Sequence, residues 1–312
     1  MASISRRKVV VLAGAAACFA PAWLGAETPA KKRSRLIMLG TKGGPRVTLG
    51  RAMTGHLLLV DDVPYVIDCG YGTVRQIVAA GVALPRLRHI FITHHHSDHN
   101  VDYGSLLLMA WASGLKTQVD CWGPPPLQRI TELALAMHAT DIDIRVADEG
   151  RPPLKPLIRV HEFAKAGPVM QDERVRVTAA IVRHPPVVPS FAYRFDTPDR
   201  SIVFSGDTAP SDGLVALARG ADVLIHEAMY VPAIDRLLAR VPNAATLREH
   251  LIASHTAVED VGRAAKSAGV KLLVLSHLVP GDDPAITDQM WIDGARKHFD
   301  GRIVVAQDLM EF

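Results

Sequence analysis

The sequence predicts an α/β protein (α+β) in which two mixed β-sheets pack against each other and helices cover their outer faces. Short apolar runs rich in β-branched residues come in blocks, and helical segments lie between them. The 312 residues are 48% hydrophobic and 21% charged, which is typical of a globular chain with a large core. No composition break, repeat or low-complexity tract divides the chain, so we expect a single domain over residues 35–312.

The predicted elements follow from apolar periodicity and from the turn residues between them. Strands are expected at 35–39, 56–60, 64–67, 89–93, 118–122, 157–163, 173–181, 191–195, 201–204, 222–225, 271–275 and 302–305. Helices are expected at 73–80, 104–113, 127–138, 211–218, 257–268 and 284–298. This order of strand blocks and helices fits two stacked sheets with helices outside.

The N-terminus resembles an export signal. Basic residues at 5–8 precede an apolar, Ala-rich stretch at 9–26, and the paired arginines resemble a twin-arginine signal. Ala26 is the expected cleavage position, with Ala30 as a second option. A membrane anchor is the alternative, but the run is short for a span and Pro21 breaks it. We therefore expect a periplasmic or secreted protein with no stable membrane anchor after signal cleavage.

The net charge and the cysteine spacing give no support to a strongly basic nucleic-acid-binding protein or to a zinc finger. Residues 1–26 contain three basic residues and no acid, so their removal lowers the formal net charge from +3 to 0. The mature chain then lacks the global positive field that is typical of nucleic-acid-binding proteins. Cys69 and Cys121 show neither a CxxC nor a zinc-finger spacing, and we interpret them as single buried thiols.

A dense group of potential metal ligands follows the strand predicted at 89–93. Residues 93–99 read THHHSDH, which places the pattern H-x-H-x-D-H from His94 to His99. Imidazole and carboxylate groups are the ligands that zinc takes at about 2.0–2.2 Å. Four ligands from so short a loop do not fit easily around one ion. Division between two neighbouring ions is natural, and the other ligands must then come from elsewhere in the chain.

Three further residues could complete such a site. His184, Asp207 and His277 each come after a predicted strand. Loops at strand ends on a rigid sheet are where catalytic side chains are often placed. A surface or structural histidine is the alternative for each of them alone, but their order along the chain together with the cluster favours a shared metal site.

With these residues the chain resembles the metallo-β-lactamase superfamily over about residues 35–305. The 93–99 cluster, His184, Asp207 and His277 resemble that family's ordered motifs, and Asp68 resembles its first motif. The resemblance implies an αββα sandwich with the site at one edge, between the sheets. It also implies that Asp68 fixes the loop that carries the ligands, since metal-bound imidazoles need their second nitrogen held.

The resemblance implies two zinc ions with seven ligands. One ion would be bound by His94, His96 and His184. The other would be bound by Asp98, His99 and His277. Asp207 would bridge both ions, whereas His95 has no ligand role and should point away. Relatives with a redox di-iron centre carry an acidic residue at the position of His96, so the histidine favours Zn²⁺ and hydrolysis.

Two more segments resemble the ribonuclease Z branch of this superfamily. His226-Glu227-Ala228 follows a buried strand, and Ser254-His255-Thr256 precedes the helix expected at 257–268. In that branch a glutamate orients a histidine near the leaving oxygen. The resemblance therefore implies that Glu227 orients His255 and that His255 is the general acid. A structural histidine near a helix start is the alternative for His255.

The expected substrate is a small ester, either a phosphodiester or an aryl sulfate, in line with the ribonuclease Z and arylsulfatase-like branch. Nucleic acid is not expected, because His184 and Asp207 are only 23 residues apart and leave no room for the long tRNA-binding arm of ribonuclease Z. The alternatives are tRNA 3′-end processing, a lactonase or β-lactamase, and, least favoured, a non-enzymatic metal-binding protein. The sequence does not determine the oligomeric state, although relatives are often dimers and a homodimer is one expectation. Segments 42–56, 104–116 and 228–250 are expected to line the substrate pocket. Arg46, Arg51 and Arg248 could bind an anionic group there, whereas solvated surface arginines are the commoner alternative.

Overall fold

A computed structural model describes residues 33–312. The export signal expected at residues 1–26 and its expected cleavage positions at Ala26 and Ala30 lie outside the described residues. Thirteen strands form two sheets among these residues. The first sheet, in spatial order, contains β1 (Ser34–Gly40), β2 (Gly55–Val60), β3 (Val63–Cys69), β4 (His89–Phe91), β5 (Val119–Gly123) and β6 (Ile158–Glu162). The second sheet, from one edge to the other, contains β13 (Arg302–Val305), β12 (Leu272–Val279), β11 (Val223–Met229), β10 (Ser201–Phe204), β9 (Val187–Asp196), β8 (Arg176–His184) and β7 (Gly167–Gln171).

Both sheets are mixed. In the first sheet β1–β3 form an antiparallel meander, and β3–β6 are parallel. In the second sheet β10–β13 are parallel, and β7–β10 are antiparallel. The parallel strands of each sheet end at the same edge, so loops from distant parts of the chain can meet there.

Helices connect the strands and cover the sheets. They are α1 (Thr73–Ala79), α2 (Ser97–Asn100), α3 (Tyr103–Ala112), α4 (Leu127–Met137), α5 (Ala139–Glu149), α6 (Asp212–Leu217), α7 (Ile234–Leu238), α8 (Leu247–Ser254), α9 (Val258–Ala268) and α10 (Asp288–Arg296). Within the described residues, none of these helices has both the length and the apolar composition to span a membrane.

Three apolar clusters show the layering. One joins the facing sides of the two sheets through large side chains such as Phe91 and Tyr193. A second packs the first sheet against α1 and α3. A third packs the second sheet against α9 and α10, where Trp291 is only 2% exposed. The expected αββα sandwich is therefore confirmed, with the main core between the sheets and one further core under each helical layer.

The structure differs from the expected elements in several places. β7, α5, α7 and α8 were not expected, because their apolar residues are sparse or lack a clear period. β11 and β12 run four residues beyond their predicted ends. His226 and Glu227 therefore lie inside a strand rather than after one, and so does His277. Cys69 and Cys121 are buried and unpaired, as expected.

Candidate metal centre

The predicted ligands meet at one edge of the sandwich, between the two sheets. The loop after β4 carries His94 and His96, and α2 carries Asp98 and His99. His184 is the last residue of β8, Asp207 follows β10, and His277 lies in β12. Each of them is at most 4% exposed except His96, which is partly exposed. All seven side chains offer a ligand atom to one of two adjoining groups that share Asp207.

The first group consists of three ring nitrogens and one carboxylate. His96 Nδ1 lies 3.2 Å from His94 Nε2 and 3.0 Å from His184 Nε2. Oδ2 of Asp207 lies 3.8 Å from His94 Nε2 and 3.9 Å from His184 Nε2. We call these four residues the histidine group.

The second group contains more carboxylate. Asp98 Oδ2 lies 3.3 Å from His277 Nε2 and 3.8 Å from His99 Nε2. Asp207 reaches the same two rings with different oxygens, Oδ1 at 3.2 Å from His99 Nε2 and Oδ2 at 3.1 Å from His277 Nε2. We call Asp98, His99, His277 and Asp207 the carboxylate group. Asp207 thus faces both groups, the histidine group with Oδ2 and the carboxylate group with both oxygens, as a bridging ligand requires.

The arrangement fits cations better than protein contacts alone. Three ring nitrogens of the histidine group converge, although neutral imidazoles have one donor each and their remaining lone pairs repel. Ligand atoms about 2.0–2.2 Å from a tetrahedral zinc ion stand roughly 3.3–3.6 Å apart, which is close to the spacing in both groups. Across residues 33–312, His99 Nε2 and Asp207 Oδ1 are also buried without a hydrogen-bond partner.

Three of the predicted ligands are hydrogen-bonded by residues outside the two groups. Asp68 accepts from His99 Nδ1 at 2.8 Å and from the Thr93 backbone N–H at 2.8 Å, so it fixes both a ligand and the start of its loop. His184 Nδ1 bonds the carbonyl of Ser254 at 2.9 Å. The backbone N–H of Gly44 donates to Asp98 Oδ2 at 2.7 Å. Such partners set ring orientation and ligand basicity, and Asp68 has the place that the resemblance implied.

Backbone conformation at the site is unusual. Asp68 has φ 61° and His277 has φ 43°, both in the left-handed region that non-glycine residues rarely adopt. Gly70 is required next to Asp68, because a Cβ at that position would lie 2.2 Å from the Asp98 carbonyl oxygen. The surrounding sheets therefore hold the predicted ligand His277 and the supporting Asp68 in backbone conformations that a free loop would avoid.

The protonation tendencies of the ligands differ between the groups. Burial, and then neighbouring His184, lowers the pKa of His96 to about 4. Burial also lowers the pKa of His94 and of His184. Burial opposes protonation of His277 as well, but the carboxylate of Asp207 outweighs it and raises that pKa to about 10. The same balance, with Asp207, raises the pKa of His99.

Glu227 and His255 form a pair beside the carboxylate group. His255 Nδ1 lies 3.1 Å from both carboxylate oxygens of Glu227, and both side chains are buried. Glu227 also accepts from the backbone N–H of Thr208 at 2.9 Å, which fixes its position. Burial would lower the pKa of His255, but the Glu227 carboxylate outweighs it and raises that pKa. His255 has its second nitrogen available, and its ring stacks at 5.5 Å on that of His277.

Two histidines of these segments are turned elsewhere. His95 Nε2 bonds the Pro124 carbonyl at 2.8 Å, and its Nδ1 faces Asn100 at 3.2 Å. It therefore points away from the ligands, as expected. His226 Nδ1 lies 2.6 Å from the Glu227 carbonyl oxygen and is buried in β11.

A cavity of about 580 Å³ opens onto the ligands. Its lining includes His96, Asp98, Asp207, His255 and His277. That volume is typical of small-molecule and nucleotide sites.

Segments 42–46 and 237–251 line the cavity, whereas the expected segment 104–116 does not. Helix α3 instead packs under the first sheet. Of the three arginines considered, Arg46 lines the cavity. Arg51 instead bonds Thr41 and the Ala306 carbonyl, and Arg248 pairs with Asp235.

Two cavity residues lie within the expected segments 42–56 and 228–250 but were not singled out by the sequence. The His250 ring lies 5.8 Å from that of His96 and 5.9 Å from that of His184. Its helix, α8, has no strong apolar period, so a second histidine five residues before His255 was the available signal. Lys42 is buried in the loop after β1, and burial lowers its pKa to about 8.

Comparison with known proteins agrees with this architecture. The profile of the β-lactamase superfamily domain matches residues 65–278, more than half of the chain. The chain belongs to the metallo-β-lactamase superfamily. A ribonuclease Z of Mycobacterium bovis is 31% identical over 277 residues, which cover 88% of this chain and 96% of that protein. A ribonuclease Z of Mycobacterium sp. (strain KMS) is 33% identical over 276 residues, or 88% and 94% of the two chains.

Solved structures of this superfamily show the same fold. The metallo-β-lactamase fold protein YhfI of Bacillus subtilis superimposes with a TM-score of 0.66 at 21% identity, over 89% of this chain and 98% of that one. The short form of human tRNase Z superimposes with a TM-score of 0.65 at 22% identity, with the same two coverages. Together with the curated relatives, these likenesses place the chain in the ribonuclease Z branch of the metallo-β-lactamase hydrolases.

Proposed function

We propose that this metallo-β-lactamase superfamily hydrolase cleaves phosphodiester bonds with two bound Zn²⁺ ions, and that RNA is its first substrate class to test. The observation that carries the proposal is the meeting of seven ligand side chains in two groups around Asp207, with the Glu227–His255 pair beside them. Hydrolysis of a phosphodiester needs these two functions, a centre that activates water and a donor for the leaving oxygen.

Different residues would bind the metal ions and donate the proton. The histidine group and the carboxylate group would each hold one ion, and Asp207 would hold both. Bound there, the ions supply an activated water at neutral pH and stabilise the negative charge that develops. Glu227 holds Nδ1 of His255, and this leaves the other ring nitrogen of His255 to hold a proton at the cavity wall. That proton is placed for transfer to the departing oxygen.

The relatives favour RNA over a small ester. Curated proteins at 31% and 33% identity, matched over nearly their whole length, are named ribonuclease Z. A human structure of this fold is a tRNase Z. We therefore place tRNA 3′-end processing ahead of the small-ester substrate expected from the sequence, and nucleic acid becomes the first partner to test.

A small phosphodiester or aryl sulfate is the second candidate, because one structural feature favours it. Residues 185–206 are taken up by β9, β10 and short turns, so the described chain has no arm between His184 and Asp207 with which to grip tRNA. A homodimer, which would offer a larger surface to RNA, remains part of the proposal and is tested by light scattering.

The deciding experiment is an activity panel on the zinc-loaded protein. A precursor tRNA with a 3′ trailer is expected to be cut, and bis(p-nitrophenyl) phosphate to be hydrolysed more slowly. Hydrolysis of the small diester without RNA cleavage would favour the second candidate. Activity on p-nitrophenyl sulfate, nitrocefin or a homoserine lactone alone would reject the phosphodiesterase. Zinc binding without any turnover would return the protein to a binding role.

Location tests the substrate independently. We propose, from the resemblance of residues 1–26 to an export signal, that the protein is directed to the periplasm or out of the cell. This location weighs against tRNA and is the second feature that favours the small-substrate candidate. Cell fractionation with an antibody against the folded domain measures this. Recovery in the periplasm favours a small substrate, since tRNA is cytoplasmic, and recovery in the cytoplasm favours RNA.

A further inference from the structure

The wall of the cavity beside the metal centre carries a cluster of basic side chains. Lys42 comes from the loop after β1, Arg46 from the same loop, and Arg240 from the segment after α7. All three line the cavity that opens onto the metal centre. Apart from the ligands Asp98 and Asp207, Asp282 is the one acid among the lining residues of the described chain. Three cations therefore face one carboxylate, and the wall has two formal positive charges in excess.

The loop that carries Lys42 is fixed against the metal ligands. Gly43 donates its backbone N–H to the Leu278 carbonyl at 3.1 Å, and Gly44 donates to Asp98 Oδ2 at 2.7 Å. A Cβ at Gly43 would lie 2.6 Å from the His277 ring, so the loop backbone packs directly on a ligand. The basic wall and the metal centre are thus parts of one rigid unit.

The donors of this wall are not all used by the protein. The Lys42 ammonium gives two N–H groups to the carbonyls of Gly43 and Gly44, at 3.0 and 2.9 Å, which leaves its third N–H. Asp282 bonds Arg46 and, at 3.2 and 3.4 Å, Arg240, and so holds the two guanidinium groups side by side. Nε of Arg46 is buried and has no partner within residues 33–312.

A purely structural role does not explain this arrangement. Exposed ion pairs contribute about 0–1 kcal/mol, and the Arg46 and Arg240 side chains are 38% and 34% exposed. Fixed guanidinium groups with spare donors are, in contrast, suited to phosphate oxygens. Leu237, Val241 and Leu247 supply an apolar surface in the same cavity, against which a base or sugar could lie.

We propose that Lys42, Arg46 and Arg240 form a second phosphate subsite, which binds a non-scissile phosphate of the substrate in the cavity beside the metal centre. This deepens the phosphodiesterase proposed above and rests on it. The preferred substrate is then a phosphodiester with a further phosphate on the neighbouring sugar, either as a terminal group or as the next linkage of an RNA chain.

A matched pair of substrates tests the subsite. Thymidine 5′-(p-nitrophenyl phosphate) is compared with the same compound carrying a 3′-phosphate, and nitrophenol release is followed. The compound without a 3′-phosphate cannot form the charge-assisted hydrogen bonds of the subsite. We therefore expect kcat/KM to be roughly tenfold or more higher for the 3′-phosphate compound. The double variant R46Q/R240Q should reduce that ratio to near one, and Lys42→Gln should reduce it in the same direction. Equal kcat/KM for the two substrates in the unaltered protein would overturn the subsite and leave the phosphodiesterase standing.

Arg236→Gln is the control. Arg236 lies in α7, pairs with Asp283 and does not line the cavity. It should keep the preference of the unaltered protein. A loss of the preference in this control would show that general surface charge, not the subsite, attracts the phosphate.

Binding measurements read the subsite without turnover. Isothermal titration of the zinc-loaded protein should give tighter binding of thymidine 3′,5′-bisphosphate than of thymidine 5′-phosphate, and R46Q/R240Q should remove the difference. Equal affinities for the two nucleotides would reject the subsite. A failure to cleave either nitrophenyl ester would count only against the phosphodiesterase, and the affinities would still test the subsite.

A third compound, with a methyl ester on the 3′-phosphate, distinguishes a terminal phosphate from an internal phosphate of an RNA chain. A retained preference shows that an internal RNA phosphate fits, and a lost preference shows that the subsite needs a terminal phosphate.

Discussion

The two ligand groups that share Asp207 differ in charge. The histidine group has one carboxylate among three imidazoles, and burial lowers the pKa of each of its histidines. The carboxylate group has two carboxylates, and their charge raises the pKa of His99 and His277 despite burial. Without metal, the three imidazoles of the histidine group therefore favour the neutral form at pH 7, whereas His99 and His277 of the carboxylate group favour the protonated form, and a cation must displace those protons.

The groups differ less in how they are held. In the carboxylate group, His99 bonds Asp68 and Asp98 accepts from Gly44. In the histidine group, His184 bonds the Ser254 carbonyl. Both groups reach the cavity, the histidine group through the partly exposed His96 and the carboxylate group through Asp98 and His277. The comparison teaches that charge, rather than access or support, distinguishes the two positions.

The largest expected effect comes from the residue that both groups share. Asp207→Ala removes a ligand from each group at once, so the zinc content of the purified protein should fall below one ion per chain and hydrolysis should fall to background. Metal analysis and turnover measure this. His95→Ala, in the loop that carries His94 and His96 but bonded to Pro124, should retain both properties. Two tightly bound ions in Asp207→Ala would contradict the bridging role.

The next effect separates catalysis from metal binding. His255→Ala removes the proposed general acid but no ligand, so kcat should fall by roughly 10²–10⁴-fold while zinc content is unchanged. A substrate with a p-nitrophenolate leaving group needs less protonation and should be affected less than RNA. Equal losses on both substrates would argue for a positioning role of His255 instead.

A smaller effect distinguishes the groups directly. Asp68→Asn removes the carboxylate that holds His99 Nδ1, and outer partners of this kind typically contribute 10–100-fold to metal affinity. Competition with a chelator should show that one of the two zinc affinities falls and the other persists. If both fell equally, the two groups would not be separable as described.

The smallest effect is a shift in pH dependence. The Glu227 carboxylate raises the pKa of His255 against burial, and a general acid is lost as the pH rises through its pKa. Glu227→Gln removes that charge, so the pKa of His255 falls and the alkaline limb of the rate profile should move to lower pH. Profiles of kcat against pH measure the shift. An alkaline limb at the same or a higher pH in the variant would show that a group other than His255 determines it.

The sequence was sufficient for the fold and for the ligand set as a hypothesis. Local patterns around His94–His99 and the apolar runs before His184 and Asp207 are determined by a few neighbouring residues, and the structure brings these side chains together. The pattern could not show that β12 continues past His277, because a positive φ within a strand depends on packing of the surrounding sheets.

The cavity wall, in contrast, was predicted only in part: segments 42–56 and 228–250 were expected there, but the grouping of three cations on one wall could not be derived from the sequence. Lys42, Arg46 and Arg240 are separated by up to 198 residues, and each alone has the pattern of an ordinary surface cation. α7 and α8 have too few apolar positions for their periodicity to be recognised. Segment 104–116 was placed at the cavity because nothing local distinguishes a helix under the sheet from one beside the site.

By itself the sequence determined which residue types could bind metal, their order along the chain, and the strands that carry most of them, because ligand chemistry and apolar periodicity are local properties. The family resemblance implied that Asp207 faces both groups and that Glu227 holds His255, but only the tertiary structure gives the contacts themselves, and it alone brought three distant cations to one wall. Those relations depend on how the edges of two packed sheets meet, and no short stretch of chain encodes that contact.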